Sequence, residues 1–125
     1  DLHSFPTRRS SDLEPAGFYT LAATNLVLSE LPDATIKKLP RYPAIPAILL
    51  GRLAVASAYL GQGLGAALLA DALERAARVE IGAFALLVDA KDEIAAAFYR
   101  HHGFEPLPDA PRRMFLPLAS AFRSQ

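Results

Sequence analysis

The chain contains no cysteine, so it forms no disulfide, offers no thiolate nucleophile and builds no cysteine metal site. That is compatible with a reducing cytoplasm, where the protein is expected to act. It also lacks net charge: 13 Lys and Arg balance 13 Asp and Glu. No global field therefore draws in nucleic acid or an anionic membrane, and such partners must be argued from local clusters. No apolar run reaches the roughly 18–20 residues a membrane helix needs. The stretch Ala44 to Leu50 is interrupted by Pro46 and followed by Arg52. The N-terminus lacks the apolar stretch of a secretory signal, so neither export nor a membrane partner is expected. What is present suits one globular domain: 125 residues, 52% apolar and 21% charged, enough for one core with little room for two.

Asp1 to Leu13 shows neither helical nor strand periodicity. Arg8 and Arg9 would pass for a basic tail, but one back-translation of the whole segment resembles a widely used short-read sequencing adapter. Residues 1–13 are therefore expected to be an artefact set aside from fold reasoning. Residues 14–125 are expected to form a single domain whose natural N-terminus is missing.

Gly17 to Leu28 is rich in aromatic and β-branched residues and predicts a strand. Leu31 to Pro46 holds four prolines and predicts a loop with room for one helical turn. Ala47 to Val55 is an apolar run of strand length, consistent with burial on both faces. Leu64, Leu68, Ala72, Ala76 and Val79 recur at helical spacing, opposite Asp71, Glu74, Arg75 and Arg78. The acids precede the bases by four residues, the favourable order for helix ion pairs. Phe84 to Val88 predicts a short strand. Asp92 then caps a helix through Ile94, Ala97, Phe98 and His101, which Gly103 ends. Phe104 to Leu107 and Arg113 to Leu118 close the chain as strands around a turn at Pro108 to Pro111. The order predicts an α/β fold, a sheet with helices on its faces.

Gly61, Gln62, Gly63, Leu64 and Gly65 lie between a buried strand and an amphipathic helix. Free backbone N–H groups and the helix dipole can hold an anion there, and glycine lets a phosphate approach closely. The spacing does not match the G-x-G-x-x-G dinucleotide fingerprint. The Gly-Lys-Ser/Thr of a Walker loop is absent too, since Ala66 and Ala67 follow. Taken alone, the cluster is equally a flexible turn that starts a helix.

The stretch from Leu50-Gly51-Arg52-Leu53-Ala54-Val55 through Tyr59-Leu60-Gly61-Gln62-Gly63-Leu64-Gly65 resembles the central motif of GNAT acetyltransferases. Ala97-Phe98-Tyr99-Arg100-His101-His102-Gly103-Phe104 resembles that family's closing motif. The resemblance implies the GNAT (acyl-CoA N-acyltransferase) fold, a mixed central sheet with flanking helices, here without its first strand and following helices. It implies acetyl-CoA as co-substrate and no metal. The implied cofactor-binding set is Leu53, Ala54 and Val55, whose main chain takes the pantetheine arm, with Leu60, Gly61, Gln62, Gly63, Leu64, Gly65 and Ala66 at the pyrophosphate. The amide near Leu53 would also polarise the thioester carbonyl, by the logic of an oxyanion hole. Family members usually carry Gln or Arg where Leu60 stands, so a side-chain contact to the cofactor is in doubt while backbone contacts persist.

By the same resemblance the acceptor amine attacks directly, and Tyr99 is the general acid for the leaving thiolate, a role that suits a phenol with a reference pKa near 10. Packing is the competing role for a tyrosine beside Phe98. His101 and His102 are adjacent on a helix and point about 100° apart, which argues against a metal pair. Asp89 and Asp92 end a strand and cap a helix, and neither is assigned catalysis. Lys37, Lys38, Arg41 and Arg52 form a basic concentration that would suit CoA phosphate or an RNA backbone, or is a solvated face.

Leu39-Pro40-Arg41-Tyr42-Pro43, Gly51 to Val55 and Phe115-Leu116-Pro117-Leu118 narrow the resemblance to GNAT toxins of toxin-antitoxin pairs. That likeness implies aminoacyl-tRNA as acceptor, a ribbon-helix-helix antitoxin as partner, and a homodimer. The alternatives are a GNAT acting on a metabolite or protein amine, or a truncated CoA-binding fragment without activity.

Overall fold

The computed structural model describes residues 2–5, 16–79 and 82–121. Apart from Leu2–Phe5, the segment read as adapter-derived lies outside the described residues. Among the described residues six strands form one mixed sheet: β1 (Leu2–Phe5), β2 (Gly17–Val27), β3 (Ala44–Ala56), β4 (Ala85–Asp89), β5 (Glu105–Leu107) and β6 (Ala110–Pro117). Helices α2 (Leu64–Ala77) and α3 (Glu93–His101) are the long ones, while α1 (Asp33–Ile36) and α4 (Leu118–Ala121) are single turns. Among the described residues no helix is long and apolar enough to cross a membrane.

β3 is the axis of the sheet. β2 runs antiparallel along its whole length, from Gly17 opposite Val55 to Val27 opposite Ala44. On the other edge β4 runs parallel, but only from Ala47 opposite Ala85 to Leu50 opposite Val88. β6 then pairs antiparallel with β4, and β5 with β6. Beyond Leu50, β3 and β4 part company, and the edge of β3 at Leu53–Ala56 pairs instead with β1 in parallel.

Alternation along the strands sorts the core into two layers. Leu50, Leu86, Val88, Met114 and Leu116 face α2 and α3, which contribute Leu69, Ala72, Ala76, Ala95, Ala96 and Tyr99. Ile45, Ala47, Ala85, Leu87 and Phe115 face the opposite way, under Leu31, Ile36 and Leu39 from the connection after β2. Tyr19 of β2 donates its hydroxyl to Asp71, which also pairs with Arg75 at 3.1 Å, so β2 is pinned to the outer face of α2. The expected ion pair of Glu74 with Arg78 forms as well.

Several expectations shift. The loop ends earlier than read: β3 starts at Ala44 and includes Pro46, whose exposed position opposite Asn25 leaves its carbonyl free to accept from Phe84 N–H at 2.9 Å. The turn after β5 is shorter, because Ala110 and Pro111 already belong to β6. Val79 lies past the end of α2 and is 37% exposed, so the buried stripe is Leu69, Ala72 and Ala76, flanked by Leu68 and Leu73. On α3 the inward face is Ala95, Ala96 and Tyr99, while Ile94 is 79% exposed. Residues 2–5, which carry no strand pattern, nevertheless pair, because the divergence of β4 leaves β3 with an open edge.

Candidate functional site

A 3₁₀ turn at Ser57–Tyr59 carries the chain from β3 into the glycine loop. Gly61 and Gly63 have φ of 78° and 77°, a left-handed conformation that L side chains rarely adopt. Gly65 is different: it already lies inside α2. Two of the three glycines are thus required by the backbone conformation, and Gly65 is not. Gly63 is the N-cap of α2 and supplies no side-chain cap. The first intrahelical bond runs from Ala67 N–H to Gly63 O at 3.1 Å. The N–H groups of Leu64, Gly65 and Ala66 precede it, at the positive end of a 14-residue helix. Gln62 reaches back to Ala58 O at 3.4 Å and so braces the loop.

These residues enclose a cavity of about 190 Å³. Of the residues that the resemblance assigns to the cofactor, Val55, Leu60, Gly61, Gly63, Leu64, Gly65 and Ala66 line it. Gln62 does not, and Leu53 and Ala54 lie deeper along β3. Tyr59 and Phe98 also line the wall, and sequence reasoning did not assign them to the site. Tyr59 was signalled by its place next to the loop. Phe98 had been read into a core face of α3.

The end of β3 supplies a second set of backbone groups. Ala56 N–H bonds Ala16 O at 2.7 Å on the β2 side. By alternation Ala54 also faces β2, and the N–H and C=O of Leu53 and Val55 face the edge that β4 has left. All four side chains from Leu53 to Ala56 are buried.

Tyr99 is fully buried. Its ring meets Phe98 and Phe104 edge-on, each with centroids 5.3 Å apart. Burial pushes its phenol well above the ordinary range, which makes it a weaker proton donor than a free phenol; like a free phenol, it is protonated at neutral pH. Tyr99 does not itself line the cavity; Phe98 lines it and packs against Tyr99. Asp92 holds α3 in place by accepting from Ala95 N–H at 2.8 Å, and Gly103 ends it with φ 94°.

The other polar candidates are brought to different places. His101 and His102 stack edge-on at 5.0 Å, and burial, then His101, lowers the His102 pKa. Among the described residues no group of His, Asp or Glu could hold a metal ion. Asp89 receives two bonds of 2.7 Å from Arg113. The basic concentration is split. Lys37 and Arg41 line a groove of about 780 Å³ with Val27, Ile36 and Tyr42 at the start of β3. Arg52 lies near its far end, over the Phe18 ring at 5.7 Å. At 3.3 Å per residue the 13-residue strand spans roughly 40 Å, so the glycine loop and the groove mark opposite ends of the sheet.

Comparison with known proteins agrees with this geometry. Residues 15–106 match the acetyltransferase (GNAT) domain family. A probable toxin TacT of Sinorhizobium fredii is 34% identical over 113 residues, covering 83% of this chain and 62% of that protein. A tRNA-acetylating toxin of Mycobacterium tuberculosis is 38% identical over 107 residues, covering 84% and 63%. The solved structure of AtaT complexed with acetyl-methionyl-tRNAfMet superposes with a TM-score of 0.79 at 35% identity, covering 90% of this chain and 68% of that one. The chain thus spans somewhat less than two thirds of the length of these curated relatives.

Proposed function

We propose that this chain, which belongs to the GNAT acetyltransferase domain family, binds acetyl-CoA and serves an N-acetyltransferase whose acceptor is the amino group of aminoacyl-tRNA. The observation that carries the first half is the juxtaposition of a left-handed glycine loop at a helix N-terminus with the diverging edge of β3. The amides of Leu64, Gly65 and Ala66 take the pyrophosphate. Leu53 and Val55 hold the extended pantetheine arm by main-chain bonds, and an amide at this edge polarises the thioester carbonyl. The acceptor nitrogen then bonds to the acetyl carbon as the C–S bond breaks, Tyr99 delivers a proton to the departing sulfur, and the proton given up by the amine passes to solvent, from which the Tyr99 phenolate is reprotonated.

The acceptor assignment rests on the names of the relatives, a tRNA-acetylating toxin and AtaT with acetyl-methionyl-tRNAfMet. A ribbon-helix-helix antitoxin as partner, a homodimer and action in the cytoplasm are proposed on the resemblance of the sequence motifs to GNAT toxins of toxin-antitoxin pairs. A second reading, a metabolite or protein amine as acceptor, draws on the split of the basic concentration, with Lys37 and Arg41 on the groove at the start of β3 and Arg52 near its far end. We also propose that residues 1–13 derive from a sequencing adapter, which resequencing the gene across Glu14 would test.

The deciding experiment is acetyl transfer from labelled acetyl-CoA to aminoacyl-tRNA and to free amines, with Tyr99 intact and with Tyr99→Phe. A general acid predicts a loss on the order of a hundredfold or more in kcat with little change in KM. An unchanged rate sinks the role of Tyr99. Transfer to free amines but not to tRNA selects the second reading.

A further inference from the structure

Phe98 is the residue at which the cavity and Tyr99 meet. It is half-buried and lines the cavity beside the glycine loop, whereas Tyr99, one position on, does not reach that wall. The Tyr99 ring makes edge-on contacts with Phe98 and with Phe104, each with centroids 5.3 Å apart. Phe104 is 3% exposed and belongs to the core. Of the two rings that hold Tyr99, Phe98 is therefore the one an occupant of the cavity can touch. Its own ring also meets His102 edge-on at 4.8 Å, so it is held by neighbours on its own helix. Tyr99 shares a buried cluster with Leu53, at the end of β3 to which the proposed function gives the pantetheine arm. Edge-on aromatic pairs set the ring edge of one partner against the face of the other. In a close-packed interior a ring held this way does not shift without its partner.

We propose that Phe98 is a positioning residue: an acyl-CoA in the cavity packs against its ring, and that contact sets the ring of Tyr99 for proton delivery to the sulfur. The proposal rests on the acetyltransferase reading, in which Tyr99 is the acid. A phenol gives up its proton only from within hydrogen-bond reach of the acceptor. A misplacement of about 1 Å at a reacting group can cost on the order of a hundredfold in rate. A ring that touches no reacting atom thus governs turnover through its neighbour. A leucine at 98 keeps the cavity wall apolar but withdraws the aromatic edge from Tyr99. The arm then still binds, and the acid is no longer held in place. The role needs the ring at 98, and hydrophobicity alone does not fill it.

The test uses the full chain and four variants of it: Phe98→Leu, Phe98→Tyr, Tyr99→Phe, and Phe98→Leu combined with Tyr99→Phe. Coenzyme A is the binding probe, and the ring signals of isotope-labelled tyrosine are the first readout. The chain has 4 tyrosines, and Tyr99→Phe identifies the signal that belongs to Tyr99. Saturating coenzyme A should shift that signal in the parent and in Phe98→Tyr, and leave it in place in Phe98→Leu at equal saturation. This readout requires binding and not turnover. Acetyl transfer is the second readout. Phe98→Leu should lower kcat about tenfold to a hundredfold with a smaller change in the KM for acetyl-CoA, while Phe98→Tyr stays near the parent. In the Tyr99→Phe background Phe98→Leu should cost nothing further, since residues that act as one unit are not additive. A packing role alone would lower Tm and cut kcat equally in both backgrounds, and that result overturns the proposal. A Tyr99 signal that answers coenzyme A in Phe98→Leu as it does in the parent overturns it too. A parent that binds no coenzyme A overturns the acetyltransferase reading and this coupling together. A parent that binds it with no response at Tyr99 overturns the coupling alone.

Discussion

Gly61 and Gly63 offer a matched pair on which the cofactor grip can be tested. Their φ values differ by a single degree, 78° and 77°, and a Cβ added at either would meet nothing within 4 Å. Alanine at either position thus costs the same thing, a left-handed L residue, with no clash added. That cost is about 1–2 kcal/mol, or roughly 4–8 °C in Tm for a domain of this size. The two positions differ in what they adjoin. Gly63 is the N-cap of α2, directly before the amides of Leu64, Gly65 and Ala66, whereas Gly61 stands two residues earlier. On the proposed reading, in which those amides take the phosphate, a methyl group at 63 adjoins the phosphate more closely than one at 61. Losing one hydrogen bond to a charged group costs about 1.5–3 kcal/mol, so Gly63→Ala should weaken coenzyme A binding roughly tenfold to a hundredfold. Gly61→Ala should weaken it by about threefold or less. Isothermal titration with coenzyme A, alongside thermal melts of both variants, measures each quantity. Equal melts with a larger binding loss at Gly63 support the assignment. A larger loss at Gly61, or no loss at Gly63, would place the phosphates away from the helix N-terminus and refute the reasoning.

Three further predictions concern stability. Gly17→Ala should destabilise by about 1–3 kcal/mol through overpacking, because its Cβ would lie 2.8 Å from Ala54 O and 2.8 Å from Leu68 Cδ1; a denaturant midpoint equal to that of the parent would contradict the overpacking. Asp92→Ala should cost about 0.5–2 kcal/mol through loss of the α3 cap, with Asp92→Asn recovering most of it; equal urea midpoints for all three proteins would contradict the cap. Asp89 has its carboxyl held below the ordinary value, chiefly by the hydrogen bonds from Arg113. A depressed folded pKa gives stability that is present above the unfolded value near 3.9 and lost as pH falls through the folded one. Both partners are substantially exposed, at 55% and 40%, so Asp89→Asn should lower stability at pH 7 by no more than about 1 kcal/mol. That deficit should shrink below about pH 4; a deficit that stays constant down to low pH would contradict the linkage.

The elements set by local rules were legible in the sequence. Asp92 announces its helix because a carboxylate three residues before a free N–H is a local geometry, and the same holds for the ion pairs of Asp71 with Arg75 and Glu74 with Arg78. The glycine loop was legible by residue type, and so were most residues of its cavity. What failed to show was set by distant partners. Ile94, Ala97 and Phe98 satisfy helical spacing as well as Ala95, Ala96 and Tyr99 do, and hydrophobicity favours the wrong set. α3 buries Ala95, Ala96 and Tyr99 and leaves Ile94 in solvent, while Phe98 is half-buried against the core and also lines the cavity. Pro46 looked like a loop residue, yet its carbonyl and exposed ring suit a strand once Asn25 lies opposite. The occupation of the β3 edge by residues 2–5 was invisible, since it depends on where β4 turns away and not on any pattern in those four residues.

The departure at Leu60 bears on how much of the site can vary without losing its chemistry. Leu60 is 52% exposed on the cavity rim, in extended backbone just before the loop, so the side chain lost there is one that reaches in from solvent. The remaining donors are of two kinds, strand-edge amides at Leu53 and Val55 and helix-end amides at Leu64, Gly65 and Ala66. Both belong to the main chain, and both are positioned by β3, the turn at Ser57–Tyr59 and α2, elements tied into one core by Leu69, Ala72 and Ala76. A backbone site of this sort is insensitive to residue identity except where conformation demands glycine, at positions 61 and 63. It follows that a charge placed at 60, as in Leu60→Arg, should add a phosphate contact on top of an existing grip and tighten coenzyme A binding modestly, with a steeper salt dependence than the parent shows.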